Sequence, residues 1–247
     1  MPDRRQKAEE QEKENKETLK SNPKAKVNKH HINFLNKWWK LSYGREDMLE
    51  AVADLPRYIA CSRVTQRPIF EFIDSKINAN DALMVFAFAD YYSFGIINSK
   101  LHWDWFVEKC STLGGTFRYT ADTVWDTFPW PQNPTQKQIE NVGQAALLLH
   151  QARVKSLREH NMSLRDLYRV IEQPGKNPIR DLQDTLDKAV IEAYGFDGSD
   201  QLTQLLQLNL QVSDKENRNE KVQPPGLPEW TKNIERLITN ECVKFEK

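Results

Sequence analysis

The spacing of apolar residues divides the chain into three stretches of different character. Residues 1–30 are charged, contain no aromatic ring and have almost no large apolar residue after Met1. Apolar positions then alternate or run together over residues 57–90, as in short β-strands. After residue 135 they recur every three or four positions, as in helices that bury one face. The pattern therefore predicts an α+β protein, in which a small mixed β-sheet domain is followed by a helical C-terminal domain.

Changes in composition set the predicted domain boundaries. Residues 1–30 are predicted to be a disordered tail or a frayed helix, because solvated charge cannot supply a buried core. Apolar and aromatic residues begin at Ile32, and three prolines between positions 129 and 134 close the unit that follows. The predicted domains are therefore 31–131, which contains the sheet, and 132–247, which is helical.

Several elements of the 31–131 domain follow from local patterns. Helical spacing predicts a helix over Arg45–Asp54 and another over Leu101–Cys110, the second with Leu101, Trp105 and Val107 facing inward. Gly114-Gly115 is the clearest turn signal in the chain. Strands are predicted over Tyr58–Val64, Ile69–Ile73, Ala82–Phe88, Ser93–Asn98 and Phe117–Thr120.

Four helix starts are recognisable in the 132–247 domain. Each has a side chain that can cap the first turn. The predicted caps are Thr135 with Gln138, Ser163 with Asp166, Asn177 before Pro178, and Ser199-Asp200. A final short helix is predicted after Pro224-Pro225-Gly226.

The segment from Tyr91 to Gln132 has the most unusual composition, since it holds four of the seven tryptophans. Trp125 and Trp130, like the earlier pair Trp38-Trp39, are expected to be core residues. Trp103 and Trp105 lie two positions apart, so on a helix one should be buried while the other is exposed. Hydroxyl and basic side chains lie between these rings, and such side chains contact phosphates and base edges in DNA-binding proteins.

Eleven residues are accordingly predicted to bind DNA: Arg63, Arg67, Ser99, Lys100, His102, Trp103, Thr116, Arg118, Tyr119, Thr120 and Thr123. Arg118 is the sharpest of them. On a short strand after a Gly-Gly turn it could present its planar fork to a guanine edge, a contact worth about 1–3 kcal/mol of discrimination. The competing interpretations are a salt bridge for Arg118, ordinary surface charge for Arg63 and Arg67, and a hydrogen-bonded structural role for His102.

The charge balance limits how the protein could hold DNA. The formal net charge is zero, with +3 on residues 1–30, −2 on 31–131 and −1 on 132–247. A protein that clamps DNA non-specifically needs a strong basic face. The sequence therefore predicts a protein that reads double-stranded DNA while another domain holds it.

Catalytic and metal chemistry is not predicted for this chain. A methyl donor or dinucleotide site needs a Gly-rich turn after a strand, and the glycines never occur as Gly-x-Gly. Near matches to the tetrapeptide of amino-methylating enzymes, at Gln223, Asn133 and Asn177, lack either an aromatic ring or the second proline. No nucleophile–base pair or carboxylate cluster is visible, and His30-His31 is expected to be a solvated turn.

The expected location is the cytoplasm. No run approaches the roughly 18 apolar residues of a membrane span, and no apolar stretch follows the basic N-terminal residues. The three cysteines are odd in number and far apart, so we expect reduced thiols. We expect no membrane partner.

Taken together, several ordered blocks resemble the C-terminal part of the MmeI-like single-chain restriction–modification enzymes, which are class I S-adenosylmethionine-dependent adenine DNA methyltransferases. The resemblance runs from about Lys37 to Glu246. It is carried by WW at 38–39, LPRYIACSRVTQRPIFEF at 55–72, VFAFADYYSFGIINSKLHWDWF at 85–106, FRYTADTVWDTFPWPQ at 117–132, SLRDLY at 163–168 and GKNPIRDLQDTLDKAVIEAYGF at 175–196.

The resemblance implies that residues 31–131 are a target-recognition domain and that 132–247 are a helical domain embracing the duplex. In that family the residues that read sequence align with Gly114 to Thr123. The family's methyltransferase domain, which binds S-adenosylmethionine, would lie upstream. The chain is therefore expected to have no cofactor of its own and to work with a catalytic domain in cis or in trans.

As part of such an enzyme, the chain is expected to be a fragment, a separate subunit or an inactive gene remnant, and methyl transfer by this chain alone is not expected. The alternative is a non-catalytic α+β protein-interaction domain, which the neutral charge favours. Placement of Arg63, Arg67, Lys100 and Arg118 on one concave face would favour DNA, whereas their scattering would favour the interaction domain.

Overall fold

The computed structural model describes residues 2–28, 30–36, 45–113 and 115–244. The predicted core pair Trp38-Trp39 and the first glycine of the Gly-Gly turn lie outside these residues.

Two compact units divide the chain, Met1–Glu50 and Ala51–Lys247. The predicted boundary between residues 131 and 132 lies inside the second unit, which contains both the sheets and the C-terminal helices.

The first unit contains helix α1, Pro2–Ser21, and helix α2, His30–Asn36, which contact each other. The segment predicted to be disordered or a frayed helix thus forms a helix of 20 residues. Its charged sequence has two buried positions, Ala8 and Asn15. The Asn15 amide donates a hydrogen bond of 2.8 Å to the carbonyl of Asn28, which ties the following turn to the helix.

Helix α3, Glu46–Val52, is followed by two consecutive strands that belong to different sheets. The first is β1, Arg57–Ser62, and the second is β2, Val64–Thr65. The chain passes from one sheet to the other at Arg63. The Arg63 N–H donates to Ala82 O at 2.9 Å beside the first sheet, and its carbonyl accepts from Tyr119 N at 2.8 Å beside the second. The single strand predicted over Tyr58–Val64 is therefore two strands.

The first sheet is small, antiparallel and largely buried. Strand β1 lies between β3, Glu71–Asp74, and β4, Leu83–Phe86. Strand β4 falls within a predicted run and β3 overlaps another, and a parallel bridge from Ile73 to Val243 adds the C-terminal segment to the edge. The α+β class is confirmed, although the named strands form two antiparallel sheets instead of one mixed sheet.

The strand predicted over Ser93–Asn98 is wrong, because residues Tyr91–Asn98 form helix α4. The Asp90 carboxylate caps this helix by accepting hydrogen bonds from the N–H of Ser93 at 2.7 Å and its hydroxyl at 2.9 Å. Seven of the eight residues are buried, so the run is apolar on all sides and carries no helical period.

Helix α5, Lys100–Lys109, begins directly after α4 and confirms the predicted helix. Leu101 and Trp105 are buried as expected, but Val107 is 43% exposed and does not face inward. A hairpin follows, with β5, Ser111–Leu113, and β6, Thr116–Arg118, and Gly115 lies between the two strands. Gly115 has φ +80°, a conformation that favours glycine.

The second sheet has the order β2-β6-β5 and is antiparallel throughout. Strand β6 ends at Arg118, and a π-helical turn over Ala121–Trp125 follows.

Four helices make up the remainder, and each begins at a cap that the sequence predicts. They are α6, Gln136–His160; α7, Leu164–Ile171; α8, Pro178–Tyr194; and α9, Gln201–Asn217. Thr135 and Gln138 form the predicted capping box. A short 3₁₀ turn, Ile234–Leu237, takes the place of the predicted final helix.

A large hydrophobic core spans most of the second unit, and a small separate cluster, Val52, Tyr58 and Ala60, lies at β1. The large core includes side chains of both sheets and of the C-terminal helices, from Ile59 to Leu237. Trp130 is 2% exposed and Trp125 packs edge-on against Phe86 with ring centroids 4.7 Å apart, so both are core residues as predicted. The two sequence halves thus share one packed interior.

Candidate functional site

Strand β6 is fixed to helix α5 by a buried hydrogen-bond chain. His102 Nδ1 donates to the carbonyl of Ile97 at 2.7 Å, which leaves Nε2 as the acceptor for the Tyr119 hydroxyl at 2.9 Å. Burial lowers the pKa of His102 to about 4, so the imidazole is neutral at neutral pH. Tyr119 also stacks on Phe106, with ring centroids 5.4 Å apart. The end of β6 is therefore held rigidly.

The two sides of β6 have different surroundings. Phe117 packs edge-on against Trp103 and Phe106 of α5, with centroids 6.3 and 5.6 Å away. Because side chains alternate along a strand, Thr116 and Arg118 lie on the opposite side.

The side of the sheet away from α5 is an open face with four described residues. Arg118 is directly opposite Val64 on one neighbouring strand and Ser111 on the other, and residues opposite each other share a face. Val64, Ser111 and Arg118 are exposed and Thr116 is half-buried. We call Val64, Ser111, Thr116 and Arg118 the Arg118 face.

Arg118 has no side-chain partner among the residues that the structure describes. Within the described chain its guanidinium makes no ion pair, hydrogen bond or ring contact. The salt bridge considered as its alternative role is therefore not formed with any described residue. Its five donors are available to a ligand, on a strand that the Tyr119–His102 chain holds in place.

Arg67 and Lys100 are placed differently, in a cleft of about 250 Å³ beside α5. The Arg67 guanidinium lies over the rings of Trp103 and Tyr168, at 5.4 and 5.0 Å, and bonds Glu172 at 2.7 Å. Lys100 pairs with Asp104. Both cations are thus neutralised by neighbouring carboxylates.

The cleft also contains a carboxylate at the start of α5. Asp187 accepts hydrogen bonds from the Lys100 N–H at 2.8 Å and the Gln183 amide at 3.0 Å. Burial raises the pKa of Asp187 to about 6 despite these donors. A partly buried carboxylate at the helix N-terminus disfavours a phosphate there.

The four cations that were expected to share one concave face if the protein binds DNA lie in two separate places. Arg67 and Lys100 line the cleft, and Arg63 and Arg118 belong to the second sheet and its entry. The Arg63 guanidinium donates to the carbonyl of Asp81 at 3.3 Å. A single concave face with all four cations is not formed, and by the criterion stated above this scattering favours the interaction domain.

Three of the eleven predicted DNA-binding residues do not present their side chains at the surface. Ser99 is 2% exposed, His102 1% and Tyr119 0%. Ser99 caps α5, and the other two form the anchor of β6. We correct their role to positioning, because groups with internal partners and no exposure cannot touch a ligand directly.

The remaining predicted residues lie nearer the surface. Thr120 and Thr123 hydrogen-bond each other across the start of the π-helical turn, Thr123 being exposed and Thr120 half-buried. Trp103 is half-buried beside the cleft. DNA contact by Arg63, Arg67, Lys100, Trp103, Thr116, Arg118, Thr120 and Thr123 stays a prediction.

Sequence reasoning missed a buried polar network that links the sheet to helix α6. Glu71 accepts from Arg153 at 3.0 Å and lies 2.5 Å from His150 Nε2, while His150 Nδ1 lies 3.0 Å from the Tyr91 hydroxyl. Burial tends to raise the pKa of Glu71, but Arg153 and His150 outweigh it and lower the pKa. These residues come from distant parts of the chain, so no local motif could reveal them.

Arg57 extends this network to the C-terminal segment. Its guanidinium lies 3.5 Å from the centre of the Phe72 ring and donates to the carbonyl of Glu241 at 2.6 Å. The side chains of Arg57, Glu71, His150 and Arg153 are buried, so we interpret the network as a structural feature.

Among the described residues, no group of three or more His, Cys, Asp or Glu side chains is arranged to hold a metal ion. None of the described helices has both the length and the apolar character needed to cross a membrane.

Comparison with known proteins identifies the part of the chain that carries this site. Residues 55–132 match the family model of the MmeI target recognition domain. The resemblance to MmeI-like enzymes is thereby confirmed, and the matched segment contains both sheets, α4, α5 and the Arg118 face.

A solved structure of the Type IIL restriction-modification enzyme MmeI in complex with DNA has a similar fold. The TM-score is 0.64 with 23% sequence identity, and the match covers 76% of this chain. It covers 25% of the MmeI chain, so this chain spans about a quarter of that protein's length. A search of curated proteins finds no match.

Proposed function

We propose that this chain is a sequence-specific DNA recognition module of an MmeI-like restriction–modification enzyme. The observation that carries the proposal is Arg118, whose guanidinium is unpaired within the described part of the chain and lies on the open face of a rigid sheet in the matched target recognition domain. Sheets of this kind can enter the major groove, where each base pair presents a distinct set of donors and acceptors. The solved MmeI structure, which contains DNA, supports a nucleic-acid ligand.

Arg118 would read guanine. An arginine fork donates two hydrogen bonds to guanine O6 and N7, the most common specific contact in the major groove. Val64, Ser111 and Thr116 surround it, and hydroxyl groups can donate to or accept from either strand. His102 and Tyr119 would act through the strand, by holding β6 against α5 so that the guanidinium approaches DNA in one orientation.

The methyl-transfer chemistry would belong to a separate catalytic domain, in cis or in trans. Adenine specificity and S-adenosylmethionine binding are proposed for that domain. Three of the described glycines serve internal packing, since a Cβ on Gly95, Gly143 or Gly226 would meet the side chains of Val142, Leu237 or Phe88. This chain would contribute sequence recognition. We expect it to act in the cytoplasm, where its three thiols would be reduced.

The proposal is tested by selection from a randomised duplex pool at about 0.1 M salt, with sequencing of the retained DNA. We expect one short asymmetric motif with a guanine that Arg118→Ala no longer selects. Arg158→Ala is the matched control, since Arg158 is an exposed arginine on α6. Circular dichroism verifies that each variant is folded.

The protein-interaction domain is the second candidate, and the neutralised cations of the cleft favour it. Arg67 and Lys100 already have carboxylate partners, and the chain has no net charge. A folded chain that enriches no motif would exclude autonomous DNA reading and support this alternative.

A further inference from the structure

The Arg118 face contains an apolar side chain whose position calls for an explanation. Val64 is a branched hydrocarbon, yet its side chain is 50% exposed. It lies in direct register with Arg118. Isolated surface valines are common and need no function, but this one shares a row with the unpaired guanidinium of the proposed reading surface.

The row crosses all three strands of the second sheet in the order Val64, Arg118, Ser111. Adjacent strands lie about 4.8 Å apart, so the three side chains span roughly 10 Å. The major groove is about 12 Å wide, and bases on one strand follow each other at about 3.4 Å. Val64 and Arg118 are therefore close enough to address the same or neighbouring base pairs.

The chemistry of the two side chains is complementary to two different base edges. The arginine fork suits the paired acceptors of guanine, as proposed above. An isopropyl group has neither donor nor acceptor, and the apolar feature in the major groove is the C5-methyl group of thymine. A polar edge placed against Val64 would lose its water without gaining a hydrogen bond, which is unfavourable.

We propose that Val64 is a specificity residue that selects a thymine methyl group next to the guanine read by Arg118. This inference rests on the proposed function and adds the base class for a second position. Ser111, on the other side of Arg118, would tolerate several bases because its hydroxyl both donates and accepts.

The backbone around Val64 is fixed well enough for such selection. The Ser62 hydroxyl donates to the Val64 carbonyl at 3.0 Å, and Arg63 is hydrogen-bonded to both sheets. Val64 is also β-branched, so its side chain has few rotamers. The methyl groups therefore occupy a defined place relative to the guanidinium.

The experiment replaces thymine by deoxyuridine, which removes only the C5-methyl group. The selected motif is made as a set of duplexes with one such replacement each, and the dissociation constant of the full chain is measured for every duplex. We expect one thymine, adjacent to the Arg118-dependent guanine, at which the replacement weakens binding about fourfold, as for the loss of one buried methyl group.

Two variants decide whether Val64 is responsible. With Val64→Ala the thymine-to-deoxyuridine ratio should fall to about one at that position, while selection of the guanine persists. Val170→Ala is the matched control, because Val170 is a 48% exposed valine on α7. It should leave the ratio at about four.

Each outcome bears on one of the two proposals. A selected motif in which no thymine shows a Val64-dependent methyl effect, or which has no thymine beside the guanine, overturns the inference and leaves DNA recognition intact. Failure to select any motif overturns DNA recognition by this chain and the inference with it.

Discussion

Three arginines of the second unit differ in environment, and their environments imply different uses. Arg57 and Arg153 are 0% exposed and hydrogen-bonded to carbonyl or carboxylate oxygens inside the protein. Arg118 is exposed and unpaired among the described residues. A guanidinium without an internal partner retains its full hydrogen-bonding capacity for a ligand.

Replacing Arg118 by lysine should relax specificity without abolishing binding. The ammonium keeps the positive charge but cannot make the planar pair of hydrogen bonds to guanine, so discrimination at that position should fall by about 1–3 kcal/mol. Competition between the selected duplex and single-base variants measures this. Equal discrimination by the wild-type chain and Arg118→Lys would contradict the bidentate contact, with Arg158→Lys as the control.

His102 should make stability depend on pH. Its folded pKa of about 4 lies below the ordinary value of 6.5, so the unfolded chain binds the proton more readily. The contribution is complete above pH 6.5 and is lost as the pH falls toward 4. From the two pKa values we expect a loss of about 2 kcal/mol between pH 7.5 and pH 5.

Urea unfolding of the wild-type chain and His102→Gln at both pH values tests this. The difference between the two pH values should be about 2 kcal/mol smaller in the variant. His160→Gln, at an exposed position on α6, should behave like the wild-type chain. An unchanged pH dependence in His102→Gln would show that the histidine is not the group responsible.

The residue-scale predictions from sequence succeeded or failed for a geometrical reason. The Gly-Gly turn placed Arg118 on a short strand, and the structure has it there. Tyr119 follows Arg118 directly, so alternation requires the two to face opposite sides, and predicting both as contacts ignored that rule. The burial of His102 depends on Ile97 and Tyr119, whose approach local spacing does not encode.

At the scale of elements, the contact between α4 and α6 depends on one glycine. A Cβ at Gly95 would lie 2.8 Å from Val142 Cγ1 and 3.1 Å from both Ala146 Cβ and Leu186 Cδ1. Val142 is buried and β-branched, and the Ala146 Cβ moves only with its backbone, so neither can give way easily. The two helices would have to separate.

Gly95→Ala should therefore lower the free energy of unfolding. The overpacking cost of about 1–3 kcal/mol outweighs the gain of about 0.5–1 kcal/mol from better helix propensity. Thermal and urea unfolding measure the change. Stabilisation by Gly95→Ala would mean that the α4–α6 contact is looser than the structure shows.

Gly143→Ala is an informative comparison within the partner helix. Its Cβ would meet mainly the Cδ2 atom of Leu237, at 2.5 Å, which is the end of a flexible side chain. Since Leu237 can change rotamer, the net change should be smaller than for Gly95→Ala.

Helix α4 was predicted to be a strand because the apolar pattern was interpreted without the cap that precedes it. The Ser93–Asn98 run is apolar on all sides because it contacts the sheet, α6 and α8 together, and period alone cannot separate a buried helix from a buried strand. Asp90 and Ser93 form a capping pair that would have indicated a helix. The caps of α6, α7, α8 and α9 were all recognisable because polar flanks surround them.

At the scale of the whole molecule, zero net charge predicts weak dependence of DNA binding on salt. Each phosphate contact contributes about −0.9 to the slope of log K against log salt. With Arg67 and Lys100 already paired, we expect few such contacts and a slope shallower than about −3. Titrations between 50 and 200 mM salt, roughly the range in which such slopes are measured, test this. A slope of log K against log salt near −10 would contradict the prediction, because it would require about ten phosphate contacts and therefore a basic face.

The buried network suggests that the second unit unfolds as one body. Glu71 belongs to the sheet, Arg153 and His150 to α6, and Arg57 connects the same core to the C-terminal segment. Glu71→Ala would leave Arg153 buried without its carboxylate, a loss of about 3–5 kcal/mol. Tryptophan fluorescence, dominated by rings in the sequence segment 103–130, and far-ultraviolet circular dichroism, dominated by the helices, should then show one shared transition at lower urea. If fluorescence shifted while the helical signal kept its midpoint, the recognition and helical halves would be independent folding domains joined only by the chain.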